Sequence, residues 1–150
     1  MIRIKNQDIL TVKQGIIIQQ VNCRGVMGAG LAKQIRQTYP QVYTSYMKAC
    51  SMYTPEQLLG VVQLIKISDE LTVCNFFAQL NYGTGKIQTD YNAFEKCLEK
   101  LAFKTGSGTP IYIPYKIGCG LAGGDWEVIK ELIDVTLYNH NVIICRKEVR

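Results

Sequence analysis

Apolar positions recur along the chain with two periods. Short runs rich in β-branched residues at Ile2–Lys5, Gly15–Val21, Gly60–Ile67, Leu71–Ala78, Pro110–Tyr115 and Val142–Cys145 predict six strands. Helical spacing fills the intervals. Leu31–Thr38 predicts a first helix; Pro40 either interrupts it or opens the next, where Val42, Tyr46 and Ala49 share a face. Tyr91, Phe94, Cys97, Leu98 and Leu101 mark the buried side of a helix capped by Thr89 or Asp90. Ile129, Leu132, Ile133 and Leu137 do the same for a helix over Trp126–Tyr138. Strands alternate with helices over most of the length, which predicts a largely parallel sheet covered on both faces. No repeat, low-complexity tract or linker interrupts the pattern, so residues 1–150 read as one domain.

Composition narrows the class. Hydrophobic residues make up 47% of the chain and charged ones 19%, ample for one core. No segment approaches the roughly 20 apolar residues that span a bilayer. The start, Met1-Ile2-Arg3-Ile4-Lys5, lacks the apolar stretch of a signal peptide, so a cytoplasmic location is expected. The six cysteines are scattered without zinc-ligand spacing and read as small, mostly buried hydrophobes; no metal site is expected. The net charge of +5 raises nucleic acid as a partner. The lysines and arginines are spread along the chain, however, with only Arg146–Arg150 mildly clustered. Nucleic acid is therefore disfavoured as the primary partner, while a positive bias suits a small polyanion.

Two turns carry the candidate chemistry. Asn22-Cys23-Arg24-Gly25-Val26-Met27-Gly28-Ala29-Gly30 and Gly118-Cys119-Gly120-Leu121-Ala122-Gly123-Gly124-Asp125 each lie between a strand and a helix. In a parallel sheet both fall at the carboxyl ends of strands, where ligands bind. Glycine lets successive N–H groups face one oxyanion, and the following helix adds its positive end. Two facing turns suit a diphosphate with a sugar on either side. Strand-to-helix turns favour glycine in any α/β protein, but two this dense favour a ligand. Neither matches G-x-x-x-x-G-K-[ST] or G-x-G-x-x-G, which argues against a P-loop ATPase and an ordinary nicotinamide dehydrogenase.

The first turn, with Val21 before it and Leu31-Ala32 after it, resembles the first ligand loop of macro domains. Ile117–Trp126 resembles their second. Met27-Gly28-Ala29-Gly30 and Gly118-Cys119-Gly120-Leu121 are similar to the branch that includes terminal ADP-ribose glycohydrolase and yeast-type ADP-ribose 1''-phosphate phosphatase. Asn6-Gln7-Asp8-Ile9 resembles the early Gly-Asp-Ile motif. The resemblance covers nearly the whole chain. It implies a three-layer α/β/α sandwich with a mixed, mostly parallel sheet, and ADP-ribose or a derivative as ligand, free or on a macromolecule. Asp8 would accept from the adenine amino group, with Ile9 beside it. Gly28, Ala29, Gly30 and Leu31 would approach the diphosphate and distal ribose, with Asn22 near that ribose. Gly118, Cys119, Gly120, Leu121 and Ala122 would wrap the other side, and Cys145 and Arg146 would end a strand near the adenine.

The resemblance also bears on catalysis. The glycohydrolase branch uses a lysine after the middle strand and an aspartate just after Gly-Cys-Gly-Leu. Gln79 and Ala122 stand there in this chain. Glutamine is neither a nucleophile nor a base near neutral pH, which argues against a lysine mechanism. Asp125, three residues on, is a candidate base for water with Asn22 orienting it; it is equally a helix cap. Cys119 lacks a nearby base, the sole histidine, His140, reads as an exposed turn residue, and Lys116 either favours an anion or is an exposed structural lysine. The expected activity is hydrolysis of a distal-ribose adduct, a 1''-phosphate or an ester, without metal or cofactor. A non-catalytic ADP-ribose reader is the rival, and a basic RNA- or nucleotide-binding domain the third reading.

Overall fold

A computed structural model describes residues 2–147. Six strands form one sheet: β1 Ile2–Asn6, β2 Gly15–Asn22, β3 Val62–Lys66, β4 Leu71–Gln79, β5 Ile111–Pro114 and β6 Val142–Arg146. Their order is β1-β6-β5-β2-β4-β3, with every neighbouring pair parallel except β3 and β4. That antiparallel pair follows from the tight turn at Ser68-Asp69-Glu70, where Ser68 Oγ accepts from the amides of Glu70 and Leu71.

Side-chain alternation in the central strands builds two cores. Ile17, Val21, Val73 and Phe77 point to the face covered by α1 (Gly30–Thr38), α2 (Pro40–Met52) and the short α3 (Pro55–Leu58). Ile18, Cys74, Phe76 and Ala78 point to the other, under α4 (Tyr91–Lys104) and α5 (Trp126–Thr136). These are the three layers that the strand–helix alternation implies. Pro40 opens α2 rather than interrupting α1, because its missing N–H falls where a helix needs none. Asp90, not Thr89, caps α4 by accepting from the Ala93 amide.

Some boundaries differ from the sequence reading. The strand expected from Gly60 starts at Val62, because Gly60 turns the chain at φ 91°. Helix α5 stops at Thr136, two residues short of Tyr138, as Leu137 leaves helical dihedrals. Helix α3 is four residues long, too short for apolar periodicity to signal; a Thr54–Gln57 capping box starts it. His140 is half-buried rather than an exposed turn residue, its Nε2 2.9 Å from the Thr105 carbonyl at the end of α4.

Inside the sheet, amides bridge β2, β4 and β3: Gln19 Nε2 donates to Asn75 Oδ1 at 2.7 Å, and Asn75 Nδ2 to Gln63 Oε1 at 3.0 Å. The register between β2 and β4 skips Ala78, so this bulge re-aims Asn22 and Gln79 at the strand ends. The freed Ala78 carbonyl accepts from the Asp90 amide at 2.7 Å, which anchors α4. No helix among the described residues is long and apolar enough to cross a membrane.

Candidate functional site

The carboxyl ends of the parallel strands open into a cleft of about 570 Å³ between the two glycine turns. Gly28, Ala29, Gly30 and Leu31 line one wall; Gly118, Gly120, Leu121 and Ala122 line the other. Gln20, Asn22 and Gln79 also line it, from the ends of β2 and β4. A second cavity of about 520 Å³ shares Leu31, Pro114 and Tyr115 with the cleft, so the two lie side by side. Asp8, Ile9, Cys145 and Arg146 line this second compartment. Both fall within the size of ordinary small-ligand sites.

The first wall is a helix start without a cap. Ala29 precedes α1 and supplies no side-chain acceptor, and the opening amides of a helix have no carbonyl one turn back. A Cβ built on Gly28, Gly30 or Gly120 would meet nothing within 4 Å beyond the adjoining backbone, so these glycines border open space. An anion there gains unpaired N–H groups and the positive end of α1.

Asn22 holds this wall in shape. Its Oδ1 accepts from the amides of Arg24 (2.9 Å) and Val26 (3.3 Å), while Nδ2 donates to the Val26 carbonyl at 2.6 Å. The buried Tyr46 hydroxyl adds bonds to Asn22 and accepts from the Gly25 amide at 3.1 Å. Burial drives the Tyr46 phenol far above its usual range, so it stays protonated and able to donate. Asn22 therefore acts first on the loop. Sequence reading gave Tyr46 only a core position; its polar tip on an apolar helix face was the available signal.

A second network fixes the opposite wall. Gln20 Nε2 donates to Gln79 Oε1 (2.9 Å) and Thr89 Oγ1 (3.0 Å); Thr89 in turn donates to the Gly118 carbonyl at 2.6 Å. Gln79 Nε2 donates to the Asn81 carbonyl at 2.8 Å. Gln20, a polar residue inside the otherwise apolar run Gly15–Val21, was the sequence trace of this arrangement. Thr89 and Gln88 amides also bond the Ala122 carbonyl, pinning the second turn to the segment before α4.

Two expected site residues stand elsewhere. Asp125 is exposed, caps α5 by accepting from the Glu127 amide at 2.9 Å, and does not line the cleft. Of its two readings, the structure supplies the cap. Cys119 is also absent from the lining, because its amide donates to the Lys116 carbonyl and its Sγ bonds the Ile117 carbonyl. Desolvation first, and Asp125 second, raise the Cys119 thiol, the opposite of an activated nucleophile. Burial likewise pushes Cys23 and Cys97 up to about 12.

Among the described residues lining the cleft there is no carboxylate and no imidazole; Lys116 is its one charged side chain. Lys116 is also the one non-glycine described residue at positive φ, 60°, a conformation L-residues seldom adopt. In the neighbouring compartment Asp8 accepts from the Leu10 amide at 3.0 Å and pairs with Lys147 at 3.2 Å. The amide bond is the main cause of its lowered pKa; burial opposes it and Lys147 assists. The tail expected to be basic lies beside Asp8 as far as Lys147, and residues 148–150 fall outside the described residues. No group of three His, Cys, Asp or Glu among the described residues could hold a metal.

A six-stranded mixed sheet between helical layers, with two glycine turns facing across its carboxyl edge, is the macrodomain fold. The macrodomain of Mycobacterium tuberculosis DarG superposes with a TM-score of 0.79 at 23% identity, over 99% of both chains. A Bacteroides thetaiotaomicron protein of unknown function superposes at 0.86 with 25% identity, over 97% of both. Thermosipho africanus DarTG, solved in complex with ADP-ribose, superposes at 0.77 with 22% identity, over 99% of this chain and 42% of that one. In sequence, the chain is 42% identical over 50 residues to the DNA ADP-ribosyl glycohydrolase of Mycobacterium bovis, 33% of this chain and 14% of that protein. It is 31% identical over 90 residues to the ADP-ribose 1''-phosphate phosphatase of Saccharomyces cerevisiae, 57% of this chain and 50% of that protein. The chain thus spans a seventh to a half of these relatives' lengths. No family model matches it.

Proposed function

We propose that the chain acts as one macro domain over residues 1–150, that it binds ADP-ribose or a derivative, and that it hydrolyses an adduct on the distal ribose. The observation that carries this reading is the pair of facing glycine turns, the first of which runs into the uncapped start of α1. A diphosphate there would receive N–H groups from both walls, with Gly28–Leu31 on one side and Gly118, Gly120, Leu121 and Ala122 on the other. The adenine would enter the Asp8–Ile9 compartment, where an ionised carboxylate accepts from an exocyclic amino group and disfavours a carbonyl. The distal ribose would lie toward Asn22 and Gln79. The relatives named as a glycohydrolase and a 1''-phosphate phosphatase support the hydrolytic part. Water would cleave the bond to the adduct and leave ADP-ribose, with rate gained from orientation and from amides facing the developing charge. The cytoplasm is the proposed setting, in keeping with six free cysteines.

One observation favours a second reading, a non-catalytic reader: the described cleft lining holds no carboxylate or imidazole to activate water. Incubation with ADP-ribose 1''-phosphate, and separately with ADP-ribosyl ester adducts, separates the two. Release of ADP-ribose supports the hydrolase; binding without release leaves the reader. Asp125→Ala should lower stability by about 1 kcal/mol, as loss of a helix cap does, and leave turnover within twofold. A turnover loss of a hundredfold at unchanged fold would instead make Asp125 the base. Asp8→Ala should weaken ADP-ribose binding about tenfold while leaving affinity for ribose 5-phosphate unchanged, both read by calorimetry. Equal ADP-ribose affinity in the variant would remove the adenine assignment.

A further inference from the structure

The carboxyl end of β5 holds a backbone conformation that its sequence does not favour. The Ile117 amide donates to the Pro114 carbonyl at 3.1 Å, closing a four-residue turn with Tyr115 and Lys116 at its centre. Lys116 takes the second central position at φ 60°, where a turn that needs positive φ favours glycine. The backbone gains nothing from a lysine there. The Lys116 carbonyl accepts from the Cys119 amide at 2.9 Å, a bond that glycine would make equally well. What the strained position adds is a long cationic side chain, and that side chain lines the cleft.

The charges around it give that cation a task. Four charged side chains among the described residues line the cleft or the compartment beside it: Asp8, Lys116, Arg146 and Lys147. Asp8 and Lys147 pair at 3.2 Å. Lys116 and Arg146 remain, and the ion pairs among the described residues include neither. Both stand against one ring: Lys116 Nζ lies 5.6 Å and Arg146 Cζ 4.9 Å from the centroid of Tyr115. Tyr115 borders both cavities, so the two cations mark the junction between them. The ring is fixed from two sides. Trp126 at the start of α5 meets it edge-on at 5.2 Å, and the Tyr115 amide donates to the Cys145 carbonyl at 2.9 Å, which keeps Tyr115 beside Arg146.

We propose that Lys116 and Arg146, joined by the Tyr115 ring, form a two-cation clip on the diphosphate, so that the site selects a dianion by side-chain charge as well as by turn amides. The inference rests on the reading of the cleft as an ADP-ribose site and assigns two further residues to it. A ligand running from the Asp8 compartment into the cleft passes this junction with its diphosphate, one negative charge on each phosphate. The guanidinium can take phosphate oxygens in a fork, whereas the ammonium acts as a point charge. Lys116 and Arg146 are exposed, so salt weakens the clip.

Calorimetry with ADP-ribose at about 50 and about 300 mM salt tests the clip. Lys116→Gln keeps the side-chain length and the strained backbone and removes only the charge. It should weaken binding about tenfold at the lower salt, the small end for a lost charge-assisted hydrogen bond, and Arg146→Gln should do the same. In each variant affinity should fall less between the two salts than in wild type, a change that a merely structural residue would not produce. Lys116→Arg restores the charge and should bind within about threefold of wild type. Lys116→Gly should melt no lower than wild type, because it relieves the strain, and still bind about tenfold more weakly. ADP-ribose affinity within twofold of wild type in Lys116→Gln or in Arg146→Gln, with the salt dependence unmoved, would overturn the clip while leaving the cleft reading intact. Failure of ADP-ribose to bind the wild type at either salt would overturn the cleft reading, and the clip with it.

Discussion

Gly118→Val should abolish measurable ADP-ribose binding, a loss of at least a hundredfold, and cost about 2–3 kcal/mol of stability. Gly118 sits at φ 72°, where a β-branched residue is strained by on the order of 1–3 kcal/mol. Its Cβ would also lie 2.7 Å from Gln20 Oε1 and 3.0 Å from Thr89 Oγ1. Gln20 cannot swing clear without breaking its bonds to Gln79 and Thr89. The second turn must then move, and its amides leave the cleft wall. Urea denaturation and calorimetry on the same preparation check both halves. A folded variant with wild-type affinity would mean that this turn does not grip the ligand.

Asn22→Leu should destabilise the chain by about 3 kcal/mol and weaken ADP-ribose binding by a similar hundredfold. The leucine fills the space but leaves the Arg24 and Val26 amides and the Val26 carbonyl short of a partner at a position only 6% exposed. Orphaned buried polar groups cost about 1–3 kcal/mol each, reduced here by whatever water reaches the loop. Tyr46→Phe keeps the Asn22 bonds to Arg24 and Val26 and should show a smaller loss, near 1 kcal/mol. If both variants were equally mild, the loop would draw its shape from elsewhere, with packing of Met27 and Cys23 as the remaining support.

The contrast between Asn22 and Asp125 indicates what could be read before any coordinates. Strand runs such as Gly15–Val21 and helix faces such as Phe94–Leu101 were legible because burial writes its period into composition. The turns were legible because glycine density between a strand and a helix has few other causes. Which polar groups meet is a different matter. Gln20, Thr89 and Gly118 lie far apart in sequence and are joined only by hydrogen bonds formed in the folded chain, which no local pattern announces. Asp125 could be read equally as a cap or a base, since both need a carboxylate at a helix start; its direction depends on tertiary packing.

The account depends on amides from both turns meeting one diphosphate, and a titration of ¹⁵N-labelled protein with ADP-ribose followed by amide chemical shifts measures that directly. The prediction is large, saturable shifts at Gly30 and Leu31 together with Gly120, Leu121 and Ala122, accompanied by Ile9, and little change along α4. Shifts confined to one turn, or no shift at either at millimolar ligand, would contradict it.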